Sequence, residues 1–201
     1  MGKQIASLLK VIGFDVLIWE KNDNDLENQL IKESIKIEKI LKLKSEGSIK
    51  IEKNLSKFEN FLTIQTVKED LSIKKNIFES LQYKENLFSN TSSIKLSKIG
   101  KNINGFHFMN PVTTKFIEVC KISNFSTKYL DELINKLKNL SYEIIDVQDT
   151  PGFIINKIIF NEISFFFYLI EEEKLNVKDV KKICSNEFKR NDPIKLVNII
   201  G

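Results

Sequence analysis

The apolar residues of this chain recur with two spacings, one typical of amphipathic helices and one typical of buried strands. The helical spacing predicts helices over residues 3–12, 25–44, 71–81, 125–140, 150–172 and 177–186, and a further helix that begins at residue 192. Short apolar runs predict strands at residues 16–19, 61–64, 86–90, 106–110, 115–120 and 142–147. Helices that alternate with short apolar strands are typical of an α/β fold built on a largely parallel sheet.

The first predicted helix and strand form a familiar combination. Gly13 ends the helix, an apolar strand follows at Val16–Trp19, and Glu20 comes directly after it. These features make up the second half of a dinucleotide-binding βαβ unit, in which the carboxylate accepts hydrogen bonds from the ribose hydroxyls. The strand and glycine-rich turn that open such a unit are missing, which leaves a buried seam of the sheet without its central strand. Three explanations are open: a start placed too late, another chain that fills the gap, or a decayed nucleotide site.

The single histidine of the chain lies in an apolar run that stops at a turn. His107 belongs to the segment Gly105–Met109, which is followed by Asn110 and a proline. Strand ends that meet loops are where α/β proteins place their chemistry, so His107 is a candidate functional residue. The alternative is a buried imidazole bonded to a backbone carbonyl. Glu118 lies inward in the next apolar run, where an unpaired carboxylate would be costly and a histidine partner would relieve that cost.

Several other polar residues could have either a local structural role or a functional one. The cluster Asn90–Ser93 follows a predicted strand, as ordinary turn and helix-capping residues do. Glu69 and Lys74 flank the start of a helix, where a solvated pair is as good an interpretation as a binding role. Asn156 falls near the start of the long apolar helix, where a buried amide needs a partner from the backbone or from a ligand.

Composition narrows the function classes. A hydrophobic fraction of 42% over 201 residues is sufficient for a substantial core. The net charge of +4 comes from interspersed charges, so the sequence has no basic stripe for nucleic acid. Cys120 and Cys184 have neither a CxxC partner nor a second histidine, which predicts two buried thiols in a cytoplasmic protein and no metal site. Polar residues interrupt the apolar segment 153–170, which predicts a core helix and not a membrane span.

Four segments, taken in order, resemble the L-3-hydroxyacyl-CoA dehydrogenase family, whose members oxidise the 3-hydroxyl of acyl-CoA thioesters with NAD. The segments are Phe88–Ser93, Gly105–Pro111, Lys115–Val119 and Asp149–Lys157. The resemblance implies a Rossmann-like NAD-binding domain over residues 1–147 that lacks its first strand, followed by a partial helical domain over residues 148–201. It also implies a chain truncated at both ends relative to the family, with a homodimer interface on the C-terminal helices.

The resemblance further implies roles for individual residues. His107 matches the catalytic base and Glu118 the residue that orients it, while Ser92 and Asn156 match the residues that hold the reacting oxygen of the substrate. The positions implied to bind NAD are Gly2, which falls on the last glycine of the fingerprint, Glu20, Glu69, Lys74, Ser92 and Asn110. Glu20 favours NAD over NADP because its charge would repel a 2′-phosphate. The intervals from Ser92 to His107 and from His107 to Glu118 are shorter than in the family.

The predicted function is therefore that of an NAD-dependent 3-hydroxyacyl-CoA dehydrogenase of fatty acid metabolism, with an acyl-CoA substrate. The alternative is a catalytically inactive homologue that serves as a binding or oligomerising module. The missing first strand, the lost glycines and the absent C-terminal helices motivate that alternative.

Overall fold

The computed structural model describes residues 1–20, 25–58, 61–81, 86–122, 128–186 and 197. The chain divides into two compact units, Met1–Phe153 and Ile154–Gly201. The sequence places the corresponding boundary after Val147.

The first unit is built from short strands and amphipathic helices. Its strands are β1 (Val16–Trp19), β2 (Ile49–Glu52), β3 (Thr63–Gln65), β4 (Leu87–Ser89), β5 (Asn104–Phe108), β6 (Phe116–Cys120) and β7 (Glu143–Asp146). Its helices are α1 (Gly2–Val11), α2 (Leu26–Leu41), α3 (Leu71–Ser80), α4 (Leu96–Ile99) and α5 (Lys128–Asn139), with single 3₁₀ turns at Leu55–Lys57 and Val112–Thr114. The second unit contains α6 (Ile155–Glu171) and α7 (Val177–Asn186).

The strands form two separate sheets in the described part of the chain. One sheet is the parallel pair β1–β2, and the other has the order β3–β4–β5–β6–β7. The five-stranded sheet is parallel except for the antiparallel pair β5–β6. This mostly parallel arrangement with helices confirms the α/β, Rossmann-like prediction. Among the described residues, β1 and β3 belong to different sheets.

The main core lies against β5 and β6. All five residues of β5 and four of the five in β6 are buried, so these two strands form the centre of the unit. Helices α1 and α5 cover them with Ile5, Leu8, Leu133 and Leu137, each at most 2% exposed. The four residues of β1, in contrast, are only half-buried.

Two details of the helices differ from the predictions. The apolar spacing of the helix predicted over residues 71–81 would turn Ile73 inward, but its side chain is 37% exposed while the neighbouring Lys74 is fully buried. The long helix predicted from residue 150 begins instead at Ile155. Phe153 donates its backbone N–H to Thr150 and has a left-handed φ of 43°, a turn geometry that an α-helix cannot contain.

Several further elements refine the sequence interpretation. Strand β2 lies in a stretch that the sequence left unassigned, and β3 begins two residues later than predicted. Oδ1 of Asn176 accepts from the backbone N–H of Lys178 at 2.8 Å, so Asn176 caps α7. The predicted start of α5 near residue 125 and the helix predicted from residue 192 lie outside the described residues, apart from residue 197.

The long helix α6 is not the core helix that its apolar sequence predicts. Of its 17 residues, only Ile163 and Phe166 are buried. The exposed large apolar side chains of the second unit are Ile154, Ile158, Phe160, Phe165, Phe167, Tyr168, Leu175 and Ile183. No helix in the described ranges is long and apolar enough to span a membrane. Cys184 is also only half-buried, whereas Cys120 is buried as predicted.

Candidate active site

His107 and Glu118 form a buried pair across the antiparallel strands β5 and β6. The two residues are direct partners in the strand register, which places their side chains on the same face of the sheet. Nδ1 of His107 lies 2.8 Å from Oε2 of Glu118. The residues are 5% and 1% exposed. The short sequence interval between them has therefore not prevented the contact.

This pairing determines which nitrogen of the imidazole is available for chemistry. An ionised carboxylate can only accept hydrogen bonds, so Nδ1 of His107 carries the proton that is shared with Glu118. In a neutral imidazole, the other nitrogen, Nε2, then has a free lone pair. The arrangement is the one that a general base requires.

An apolar wall that contains Leu96, Cys120 and Phe153 lies on one side of the imidazole. The ring of Phe153 lies 5.7 Å from the ring of His107, centroid to centroid. Gly105 makes this packing possible, because a Cβ at that position would lie 3.0–3.1 Å from Leu96, Cys120 and Phe153. Burial, with a smaller contribution from the charge of Asp149, raises the pKa of the Cys120 thiol to about 11. Cys120 is therefore a packing residue of this wall and not a nucleophile.

A turn that we call the serine turn, residues Thr91–Ile94, follows β4 and is organised by one carboxylate oxygen. Oε1 of Glu69 accepts five hydrogen bonds from the turn. The donors are the hydroxyls of Thr91 (2.6 Å) and Ser93 (3.0 Å) and the backbone N–H groups of Ser92 (3.0 Å), Ser93 (2.8 Å) and Ile94 (3.2 Å). Glu69 thus holds the backbone of Ser92, the predicted substrate-binding serine.

Lys74 supports this carboxylate from inside the protein. Its Nζ lies 3.3 Å from Oε2 of Glu69 and 3.5 Å from the hydroxyl of Ser89 and from the carbonyl of Asn90. Burial lowers the pKa of Lys74, and the charge of Glu69 partly offsets that effect. Burial alone would raise the pKa of Glu69, but the hydrogen bonds from Thr91 and Ser93 and the charge of Lys74 outweigh it and lower the pKa to about 2. Glu69 is thus ionised at neutral pH, and both residues are engaged within the protein.

Asn90 connects the serine turn to the histidine strand, a role that the sequence interpretation missed. Its Oδ1 accepts from the backbone N–H of Phe108 at 2.9 Å, and strands β4 and β5 pair in parallel with Ser89 opposite Gly105. The serine turn and His107 therefore belong to adjacent strands. A polar amide directly after an apolar strand was the sequence signal for this contact, but the same signal also fits an ordinary turn.

The predicted nucleotide-binding residues Gly2 and Glu20 line one cavity of about 760 Å³ in the first unit. Gly2 is the first residue of α1, and a Cβ there would lie 2.5 Å from the Thr66 hydroxyl, directly after β3. This close approach of a helix start to a strand end is the packing that the last fingerprint glycine permits. Glu20 follows the end of β1 in the same cavity. The two residues fit the helix end and the ribose end of a dinucleotide site.

The remaining predicted site residues have different positions. Asn110 accepts from the amide of Gln4 at 3.3 Å, and Gln4 also accepts from the backbone N–H of Val112. Asn156 is half-buried in the first turn of α6 and belongs to the second unit. The roles of both residues stay predictions. In the described ranges, no group of three or more His, Cys, Asp or Glu side chains could hold a metal ion.

Comparison with known proteins identifies relatives of this arrangement. The chain is 28% identical to the mitochondrial hydroxyacyl-coenzyme A dehydrogenase of Sus scrofa over 87% of its length and 27% identical to that of Homo sapiens over 90%. It spans 62% and 66% of those two proteins.

Solved structures share the fold across the whole chain. M. tuberculosis FadB2 matches with a TM-score of 0.81 at 20% identity, covering 100% of this chain and 79% of that one. The (S)-3-hydroxybutyryl-CoA dehydrogenase PaaH1 from Ralstonia eutropha matches with a TM-score of 0.77 at 22% identity and the same coverage. Residues 1–150 match the family described as "3-hydroxyacyl-CoA dehydrogenase, NAD binding domain", and the chain belongs to that family.

Proposed function

We propose that this chain carries the NAD-dependent 3-hydroxyacyl-CoA dehydrogenase reaction, the reversible oxidation of the 3-hydroxyl of an acyl-CoA to a 3-keto group. The observation that carries the proposal is the buried hydrogen bond of 2.8 Å between His107 and Glu118. A structural histidine would be satisfied by a backbone carbonyl. A carboxylate partner, in contrast, stabilises the imidazolium that forms when the base takes up a proton.

The proposed proton transfer follows from this pair. Nε2 of His107 takes the proton of the substrate 3-hydroxyl, and Glu118 stabilises the positive charge that develops on the ring. In the reverse direction the imidazolium returns the proton to the carbonyl oxygen. The apolar wall formed by Phe153 and its neighbours excludes water from the ring, which strengthens the electrostatic effect of Glu118.

Ser92 is the proposed donor to the reacting oxygen of the substrate. Glu69 and Asn90 position it, because they tie the serine turn to α3 and to β5. Preorganised donors stabilise developing charge because they need no reorganisation during the reaction. The substrate-binding role of Asn156, which the family resemblance implies, stays a prediction.

NAD supplies the hydride acceptor of this reaction when it is bound. Gly2 at the N-terminus of α1 is proposed to admit the pyrophosphate, and Glu20 to accept from the ribose hydroxyls. Glu69 binds both Lys74 and the serine turn. The main contribution of Glu69 and Lys74 is therefore proposed to be the support of Ser92. Relatives named as fatty acid beta-oxidation multifunctional proteins support an acyl-CoA substrate.

The direct test follows NADH oxidation in the presence of acetoacetyl-CoA. We expect turnover by the chain and a loss of roughly a hundredfold or more in His107→Gln, the usual size of a general acid–base contribution. Glu118→Gln is the matched variant. It keeps the volume but removes the charge, and we expect a smaller loss together with a shifted pH profile. Equal turnover by the parent chain and His107→Gln would contradict the assignment of the base, and no NADH binding by calorimetry would favour an inactive module.

A further inference from the structure

One side chain of α1 is bonded to the turn that follows the histidine strand. Oε1 of Gln4 accepts from the backbone N–H of Val112 at 3.1 Å, and its Nε2 donates to Oδ1 of Asn110 at 3.3 Å. Gln4 lies in the first turn of α1, which begins at Gly2, and Asn110 follows shortly after the end of β5. A single carboxamide therefore joins the start of the helix to the end of the strand that carries His107.

The turn that Gln4 contacts, residues 110–112, which we call the asparagine turn, is also held by other side chains. The hydroxyl of Tyr142 donates to the carbonyl of Val112 at 3.0 Å, and Val112 is 2% exposed. The hydroxyl of Thr114 donates to the carbonyl of Pro111 at 2.7 Å. Both backbone groups of Val112 are thus bonded to side chains from distant parts of the chain, so the turn is a fixed support for the contact with Gln4.

The backbone N–H of Val112 determines the orientation of both carboxamides. A backbone N–H can only donate, so the atom of Gln4 that faces Val112 is its oxygen, and Nε2 faces Asn110. Because Nε2 can also only donate, Asn110 presents its oxygen to Gln4 and turns its own nitrogen, Nδ2, away. Without such a network, an exposed asparagine could present either end of its carboxamide to a ligand.

The nitrogen of the Asn110 carboxamide is available to a ligand. Asn110 is exposed, and within the described ranges its side chain bonds to Gln4 alone. The two N–H groups on Nδ2 are therefore donors for an acceptor oxygen that approaches from solvent. NAD carries such oxygens on its phosphates, its ribose hydroxyls and its carboxamide, so the chemistry of this donor fits the proposed cofactor.

The asparagine turn lies at the edge of the sheet where α/β proteins bind ligands. Strands β4 and β5 are parallel, so the serine turn after β4 and the asparagine turn after β5 leave the sheet at the same edge. The bonds of Gln4 bring the N-terminal turn of α1, with Gly2, to this edge. Open α/β sheets bind ligands at the carboxyl ends of their strands, and helix N-termini there favour phosphate groups. A dinucleotide bound at Gly2 therefore lies at the edge from which Asn110 extends.

We propose that Gln4 is a positioning residue, which holds Asn110 with its nitrogen outward so that Nδ2 donates to an oxygen of bound NAD. This inference rests on the proposed dehydrogenase function, because it takes NAD as the ligand. Gln4 acts through Asn110 and not on the reacting atoms. The acceptor oxygen meets an amide that is already oriented, so less conformational freedom is lost when the cofactor binds.

The first part of the test follows the asparagine turn by NMR, without NAD or substrate. Gln4→Met keeps a long side chain that suits a helix and removes both hydrogen bonds. We expect it to lower the order parameter of the Asn110 side-chain amide and to speed hydrogen exchange at the Val112 backbone amide by about tenfold or more.

Two further variants make this measurement specific. Gln29→Met is the matched control, because Gln29 is also a half-buried glutamine in the first turn of a helix, bonded to Lys3 and Asp25. It should change neither readout. Gln4→Glu still accepts from Val112 but cannot donate to Asn110, so Asn110 should turn its nitrogen inward as the donor. This variant should leave the Val112 amide protected and slow exchange of the Asn110 side-chain amide, which keeps the test decisive if Gln4→Met does not fold.

The second part of the test measures NADH affinity by isothermal titration calorimetry in the parent chain, Gln4→Met, Asn110→Ala and the double variant. The loss of one neutral hydrogen bond should weaken NADH binding by about three- to tenfold in each single variant. The double variant should bind NADH no more weakly than Asn110→Ala alone, because Gln4 acts only through Asn110.

The possible failures can be told apart. Unchanged order and exchange in Gln4→Met, or an unchanged Asn110 amide in Gln4→Glu, would overturn the positioning role. Additive losses of NADH affinity in the double variant would overturn it as well, and an unchanged affinity in Asn110→Ala would remove Asn110 as the donor. A parent chain that orders Asn110 but binds no NADH would overturn NAD as the ligand and would contradict the proposed function itself.

Discussion

The two halves of the first unit differ in how completely their strands are paired. Every residue of β5 and β6 except Phe116 is buried. The polar side chains of His107 and Glu118 form a hydrogen bond with each other there. In contrast, every residue of β1 is only half-buried and lines the cavity of about 760 Å³. The proton transfer that we propose belongs to the well-packed half around β5 and β6, which we call the closed half. The proposed nucleotide-binding residues Gly2 and Glu20 line the cavity beside β1 and β3, which we call the open half.

This contrast separates two requirements of a dehydrogenase site. The proton-transfer pair needs a fixed geometry and a dry environment, which a fully packed strand pair supplies without help from a ligand. The nucleotide site needs backbone and glycine contacts that depend on the centre of the sheet. Loss of order in the open half would therefore affect cofactor binding before it affects the histidine.

The largest effect is expected from a cavity in the closed half. Phe106 is 1% exposed, and its ring packs edge-on against Phe88 and Phe108 at centroid distances of 5.8 and 5.0 Å. Phe106→Ala should lower the free energy of unfolding by about 3–5 kcal/mol. The matched truncation in the open half, Leu17→Ala, should cost about 1 kcal/mol, because Leu17 is only half-buried. Urea denaturation measures both, and similar losses would show that the two halves are equally well packed.

A smaller effect is expected from Glu69, which holds the serine turn. Its folded pKa of about 2 lies below the ordinary value of 4.5, so its contribution to stability is present above pH 4.5 and disappears as the pH falls toward 2. Glu69→Gln should lower the free energy of unfolding at pH 7 by roughly 2 kcal/mol, after allowance for a side chain that is 30% exposed. Unfolding curves between pH 2 and pH 7 measure the difference, and a pH-independent difference would contradict the assignment.

The smallest effect is expected at the entrance to the open half. Gly2→Ala places a Cβ 2.5 Å from the Thr66 hydroxyl, and the resulting crowding should destabilise the protein by about 1 kcal/mol. The double variant Gly2→Ala with Thr66→Ala removes the crowding oxygen and should recover the stability, since alanine is otherwise the better helix residue. Thermal denaturation of the two single variants and the double variant gives the coupling energy. Additive effects would show that Gly2 and Thr66 do not touch in solution.

Parts of both halves could be predicted from the sequence because their signals are local. The run Val16–Trp19 is bounded by Gly13 and Glu20, and the strand has the predicted limits. The pairing of His107 with Glu118 followed from the cost of an unpaired inward carboxylate, without knowledge of the register. Both inferences depend on short stretches with strong chemical constraints.

The missed features depend on contacts between distant parts of the chain. Strand β2 has the sequence Ile-Lys-Ile-Glu, and its main structural support is the pairing with β1. The burial of Lys74 could not be predicted from helical periodicity, which places apolar residues inward and lysines outward. A lysine is buried only where a partner such as Glu69 pairs with its charge, and that partner is held in place by another segment. The Thr150–Pro151 sequence is a good helix-start signal, but the preceding Asp149 accepts from the backbone N–H groups of Leu96 and Ser97 and the chain turns before α6.

The antiparallel register of β5 and β6 has an evolutionary consequence. His107 and Glu118 face each other across a ladder whose alignment is set by the hydrogen bonds of the strands, and the connecting segment from Met109 to Lys115 lies outside that ladder. Insertions or deletions in the connection can therefore accumulate without separating the two side chains. In distant relatives, the number of residues between a histidine and its acidic partner is a weak criterion for dismissing a functional pair, and ladder alignment is the better one.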